Sequence, residues 1–367
     1  MVFISLLSLP LFIAAGFFIF TDKLITWGEF LAHAAAASAV AALSTGIMYY
    51  SNVTDVEVWG GHVYEKERKK VNCEHDYCCM YCDSCSTDSN GNTSCTQYCC
   101  QTCYDHSYDI SWTYATTDDG SNSIPRVDRQ GLNEPPRWTE VVVGEPSASS
   151  HSFTNYIKAA PDTLFIKQGL TESYKDKLPE YPGRVYDHYK LDRLVVVDVP
   201  IHNSSYWNRL LMEQNDLLGA SKEVALGIVL VLNQPQEYFT ALQQHWVGGK
   251  KNDLFLVLSV DADNSIQWAE VMAWTVDKVA EAQVRDAAIT IGTIKDPGKL
   301  VASLAGATMD SYVRKPMKDF EYLKSSVTPT GLQWAIALII NILISIGLGF
   351  IFRQNEIKER RSNEYRY

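Results

Sequence analysis

Nine cysteines (Cys73, Cys78, Cys79, Cys82, Cys85, Cys95, Cys99, Cys100 and Cys103) fall between positions 73 and 103, and the rest of the 367-residue chain has none. Thiols this dense do one of two things. Cys82-x-x-Cys85 followed by Cys100-x-x-Cys103 has the spacing of a structural Zn²⁺ site, in which two tight turns deliver four thiolates to a tetrahedral ion. His75 and His106 flank the cluster and could each replace a thiol. In an oxidising compartment the same residues would instead pair as disulfides, stapling a segment with too few apolar residues to hold itself together. An odd number then leaves one thiol unpaired or shared between chains. A redox-catalytic reading has little support, because no strand-to-helix setting surrounds either Cys-x-x-Cys to lower a thiol pKa.

The elements that must carry these thiols are two arms joined by STDSNGNTS (86–94), whose Asn90-Gly91 pair is a strong hairpin signal. Strand-like stretches flank the arms at 56–58, 61–71, 108–114 and 139–143, and loop material fills 118–138. Residues 51–150 therefore read as a small β-rich domain carrying Cys-rich arms over 73–103. Residues 151–190 read as an irregular connector.

From Leu194 the pattern changes to strands alternating with helices. LVVVDVP (194–200), ALGIVLVLN (225–233) and LFLVLSV (254–260) are continuous apolar runs, as buried strands are. A helical period over 205–218 and a Pro235-led helix separate them. A fourth strand covers 266–274, and two helices follow at about 277–291 and 297–325. The fold class is thus α+β overall, with an α/β layered domain over 191–325. Its acids, Asp198, Asp253, Asp261, Asp263 and Glu270, are the candidates for holding a divalent cation that positions a phosphate and activates water. No phosphate-cradling loop, nucleophile elbow or HExxH motif occurs.

The run from Lys222 to Val271 resembles the TPM domain, through Glu237, Tyr238, Trp246, Gly248, Lys250, Lys251, Asn252, Asp253 and Glu270. The resemblance covers 192–312. It departs from the family pattern in the order Asn252-Asp253, and in Met272, Ala273 and Trp274 standing where a glycine-rich turn is usual. The resemblance implies a domain facing away from the cytoplasm and anchored by a following membrane helix. It also admits a phosphatase-like activity with a divalent cation, for which Asp253, Asp261, Asp263 and Glu270 are the weak catalytic candidates. The overall layout also resembles, more loosely, uncharacterised membrane proteins of tailed phages.

Three uncharged stretches, 1–20, 30–50 and 333–352, approach the roughly 20 residues a helix needs to cross a bilayer. Alternative readings are a cleaved signal peptide for the first and a packed amphipathic helix for the second. Arg353, Lys358, Arg360, Arg361 and Arg366 follow the last span, and Lys23 lies between the first two. By the positive-inside rule the tail 353–367 is cytoplasmic and residues 51–330 lie outside, in an inner or plasma membrane, or a host membrane if phage-encoded. His33 is an ionisable group within a span, where an interhelical hydrogen bond is the simplest role. A net charge of −11 with no basic face argues against nucleic acid.

These features point to a membrane-anchored extracytoplasmic binding or assembly protein with a protein partner, more in keeping with a non-enzyme. The alternatives are a metal-dependent phosphatase-like hydrolase and an accessory subunit of a membrane transport complex, which would need homo-oligomers.

Overall fold

The computed structural model describes residues 2–20, 27–160, 169–187 and 190–364. The Lys23 loop, residues 161–168 and 188–189 of the expected connector, and the side chains of Arg353, Lys358, Arg360, Arg361 and Arg366 lie outside the described residues. In chain order, α1 (Val2–Phe20) and α2 (Trp27–Val53) precede β1 (Thr54–Val71), the hairpin β2 (Asp76–Thr87) and β3 (Thr93–Tyr104), and β4 (Asp109–Thr116). Next come β5 (Gly120–Ile124), the short α3 (Pro136–Glu140), β6 (Pro146–Thr154), α4 (Tyr156–Ala159) and α5 (Leu170–Ser173). An alternating series follows: β7 (Leu194–Val197), α6 (Ser204–Lys222), β8 (Ala225–Leu232), α7 (Glu237–His245), β9 (Asp253–Val260) and β10 (Ile266–Ala273). The last elements are α8 (Val279–Ile291), α9 (Pro297–Ser311) and α10 (Gly331–Glu364).

The chain divides into two compact units. The first comprises Met1–Val56, Ser152–Gln168 and Pro316–Tyr367; the second comprises Glu57–His151 and Gly169–Lys315. In the first, α2 and the Gly331–Phe352 part of α10 are long and apolar enough to cross a membrane. The 19-residue α1 packs with them and carries no charge. Small side chains on α2 bring the three helices together, with Ala41 and Met48 meeting Leu6 and Ala337. Two polar side chains inside this contact bond each other and the backbone: His33 Nε2 lies 2.6 Å from Ser345 Oγ, which donates to the Pro10 carbonyl at 3.1 Å. The sequence from Met317 to Ser326, expected as the end of an α/β helix, is a 3-10 segment of this first unit with Phe320 and Leu323 buried.

In the second unit, β5-β4-β1-β6 form one sheet. The two short strands expected at 56–58 and 61–71 are a single strand, β1, with a bulge between Val63 and Glu65. Its basic run lies over aromatic rings, with Lys66 on Trp138 and Lys70 on Tyr108, at 4.2 and 4.3 Å from the ring centroids. The strand expected at 139–143 does not form. Pro135 is extended and Pro136 opens α3, which carries Trp138 edge-on to Trp112 at 4.9 Å and buries Val141. The expected connector likewise begins with an ordered strand, β6, at the sheet edge.

The α/β layer is a sheet ordered β10-β9-β8-β7, with β7, β8 and β9 parallel and β10 antiparallel. Alternate residues feed two cores. Leu226, Ile228 and Leu230 face α6, α8 and α9, whereas Val229 and Val231 face Tyr238 and Leu242 of α7. The helices α6 and α7 therefore cover opposite faces although the strands step in one direction. The two crossovers consequently have opposite hands, so one departs from the usual right-handed rule.

Glu57–His151 and Gly169–Lys315 form one compact unit, held by particular contacts. A Cβ on Gly60 would stand 2.5 Å from the Asn215 carbonyl oxygen, and one on Gly219 would stand 2.2 Å from that of Gly60, so β1 and α6 touch backbone to backbone. Asn252 Nδ2 donates to Val58 O at 2.6 Å, and Arg314 binds both Glu57 and Glu223.

Candidate functional site

The acids of the α/β layer do not converge. Asp253 stands at the start of β9 and Asp261 just past its end, roughly 25 Å away at the ~3.3 Å per residue of a strand. The carboxylate of Asp253 is fully engaged. It takes Arg193 Nη2 at 2.5 Å, the Tyr181 hydroxyl at 2.8 Å and the Lys250 N–H at 2.6 Å. Burial and the Asp253 charge raise the Tyr181 phenol well above its ordinary value, so it stays a donor.

Asp261 is a turn former: Oδ1 accepts the N–H groups of Asp263 and Ser265, both at 2.9 Å, and Oδ2 accepts Gln267 Nε2 at 2.8 Å. Asp263 is exposed on that turn, and Glu270 sits opposite Val257 in mid-strand, bonded to Gln236. Asp198 is exposed at the end of β7, at a backbone φ of 62°. None of these contacts gathers two free carboxylates.

Of the two chemistries open to the cysteine cluster, the structure shows the disulfides, and the four thiols that zinc would have taken, Cys82, Cys85, Cys100 and Cys103, are all paired. Cys82 joins Cys100, Cys85 joins Cys95, Cys79 joins Cys103 and Cys78 joins Cys99. The physical reason is the strand. Cys82 and Cys85 both lie on β2, where positions three apart point to opposite faces, so they cannot meet on one ion as they would from a tight turn. The resulting β2–β3 arm is exposed along almost its whole length. Tyr77, Met80, Tyr81, Tyr98 and Tyr104 are between 50% and 59% exposed on it. Its tip is closed by Asp88, whose carboxylate accepts the Asn90 and Asn92 N–H groups at 2.9 and 2.8 Å.

Where the arm meets the sheet, the β1–β4 ladder stops at Val71 and Asp109, and the β2–β3 ladder begins at Asp76 and Tyr104. Cys73, His75, His106 and Asp109 pack this joint. Cys73 is the one unpaired cysteine and is buried. Its Sγ lies 3.7 Å from His106 Nδ1, which is 3.4 Å from Asp109 Oδ1. The other oxygen of Asp109 accepts the Glu74 N–H at 3.0 Å and Arg126 Nη1 at 3.2 Å. That N–H, with the Arg126 charge behind it, holds the Asp109 carboxyl below its ordinary range.

The loop beneath is knotted by Asp128, which collects the N–H groups of Gln130, Gly131, Leu132 and Asn133. Beside the joint opens a cavity of about 430 Å³ lined by Glu74, His75, Trp112, Arg126, Asp128 and Arg129. Sequence reasoning singled out His75 and His106 but missed Asp109 and Arg126. The usable signal was the odd cysteine count together with Cys73 standing apart, with four residues between it and the next cysteine.

Comparison with family models, with curated proteins and with solved structures finds no match to this chain.

Proposed function

We propose that this chain is a membrane-anchored protein whose extracytoplasmic part recognises a protein partner through the β2–β3 arm, with the TPM-like α/β layer as its scaffold. The observation that carries this reading is the arm itself. Four disulfides hold a two-stranded ribbon that buries almost nothing, and four tyrosines and a methionine stand half-exposed on it. Tyrosine on a rigid backbone supplies large contact area at low entropy cost, and it is enriched where proteins meet. Four disulfides also fit an oxidising compartment, and hence an outward orientation of the arm. The basic residues after the last apolar helix favour the same orientation. The hydrolase reading is weaker, because it needs acids that meet and those of the α/β layer are dispersed or already engaged.

The test is a full-length variant with Tyr77, Tyr81, Tyr98 and Tyr104 all changed to Ser, expressed at native level and solubilised after chemical cross-linking. The variant is expected to keep its four disulfides and lose the partner that the wild type carries. Recovery of the same partner at the same yield would place the contact elsewhere.

A further inference from the structure

We propose that a zinc-class divalent cation binds at the joint between sheet and arm, held by Cys73 Sγ, His106 Nδ1 and Asp109 Oδ1. These three atoms lie within 4.8 Å of one another. The cluster also contains an unmet demand. The Asp109 side chain is fully buried, and its Oδ1 has only the Cys73 thiol and, at 3.4 Å, His106 Nδ1 beside it, neither in good hydrogen-bond geometry, which is costly for a buried carboxylate oxygen. A cation at the centre of the three donors satisfies it.

The geometry favours chelation over nucleophilic catalysis. In a catalytic relay the nucleophile and the acid address opposite nitrogens of the imidazole, so that a proton can pass through the ring. Here Cys73 Sγ and Asp109 Oδ1 both approach the same atom, His106 Nδ1. A thiolate, an imidazole and a carboxylate, completed by one water, form a tetrahedral set suited to Zn²⁺, and the two negative ligands balance its charge. The Glu74 N–H and Arg126 hold the second oxygen of Asp109, which is the outer-shell support that orients a ligating carboxylate.

Binding would release the Cys73 thiol proton, which now points toward the His75 carbonyl at 3.6 Å. The site explains why one buried thiol stays reduced beside eight that are paired. Cys73 lies in the short segment between β1 and β2 that enters the arm, whereas His106 and Asp109 lie on the segment leaving it, so the ion would pin the arm at its root. This proposal stands whether or not the arm binds a partner.

The experiment uses the full-length protein in detergent, stripped with a chelator and titrated with Co²⁺, then with Zn²⁺. One Co²⁺ per chain is expected, with a thiolate-to-cobalt charge-transfer band that Zn²⁺ removes. Cys73→Ser should abolish the band. His106→Gln and Asp109→Asn should each weaken Zn²⁺ binding by more than about 100-fold, beyond the loss that an outer-shell change causes. His62→Gln, on a histidine paired with Asp216 elsewhere, should leave binding unchanged. Peptide mapping of the four disulfides confirms that each variant is folded, and if Asp109→Asn is not, the Cys73→Ser comparison decides. Absence of a stoichiometric band in the wild type, or a band and affinity unchanged in Cys73→Ser, would overturn the proposal.

Discussion

The guanidinium of Arg193 and the carboxylate of Asp253 face each other at 2.5 Å, with both side chains sealed from water. Around them the Tyr181 hydroxyl, the Ala225 carbonyl and the Lys250 N–H complete a polar knot inside an apolar layer. Arg193 also lies over the Phe255 ring at 4.3 Å. A buried pair of this kind adds little beyond an apolar substitute, but breaking it strands a charge. Asp253→Ala is therefore expected to lower unfolding free energy by about 3–5 kcal/mol. The double variant Arg193→Met with Asp253→Leu should recover most of that loss. Denaturant melts of the three proteins check this. It follows that lost activity in Asp253→Ala would report unfolding unless the melt is shown to be unchanged.

Alkaline stability follows from buried phenols. Burial raises the phenols of Tyr238 and Tyr312, in the first case with help from the Asp198 charge; Tyr186, exposed at the surface, is pushed up to about 12 by partial desolvation and Asp192 and contributes less. Raised folded-state values mean that the folded protein keeps protons the unfolded chain would release. This contribution is complete below the unfolded tyrosine value of about 10 and is lost as pH rises through the folded values. Melting midpoints should fall between pH about 10 and 12, and tyrosinate absorbance should lag behind that of free tyrosine. A flat midpoint over that window would contradict the assignment.

The cysteine assignment makes a sharp count. Under denaturing, non-reducing conditions one thiol, Cys73, should react with an alkylating reagent, and peptide mapping should recover four linked pairs. In the folded protein Cys73 should react slowly, because it is buried. Deleting the Cys82–Cys100 bridge should cost the arm about 2–5 kcal/mol of local stability. Amide exchange confined to β2 and β3 would register that loss. Nine reactive thiols would contradict the pairing.

Among the apolar helices, His33 and Ser345 join α2 to α10 at 2.6 Å. Replacing His33 by Ala should weaken helix association by about 0.6 kcal/mol, and by no more than ~1.7 kcal/mol, the range seen for hydrogen bonds between membrane helices. Thermal melts in detergent can resolve this. Unchanged stability would mean that the backbone of Pro10 and the packing of Leu6 against Ala41 carry the contact alone.

Much of the α/β layer was legible in the sequence because its strands are buried on both faces and read as unbroken apolar runs. The run TEVVV misled for a local reason. Its β-branched residues favour a strand, yet Pro135-Pro136 and the packing of Trp138 set the chain into a helical turn first. The Cys-x-x-Cys spacing left disulfide and zinc both open, since the same spacing converges from a turn and diverges from a strand, and the strand decides for the disulfides.

What no local pattern encodes is long-range pairing. Arg193 finds Asp253 across 60 positions and Cys73 meets His106 across 33, so neither the polar knot nor the joint could be read before the topology was known.

The central claim, that the arm is the recognition surface, is tested most directly by photo-cross-linking in intact cells. A photoreactive phenylalanine analogue is placed at Tyr81 or Tyr98, and at Arg285 on the exposed face of α8 as a control. A discrete protein adduct from positions 81 and 98, absent from 285 and lost when the arm is reduced before irradiation, is the predicted result. No adduct from the arm, or the same adduct from Arg285, would contradict the account.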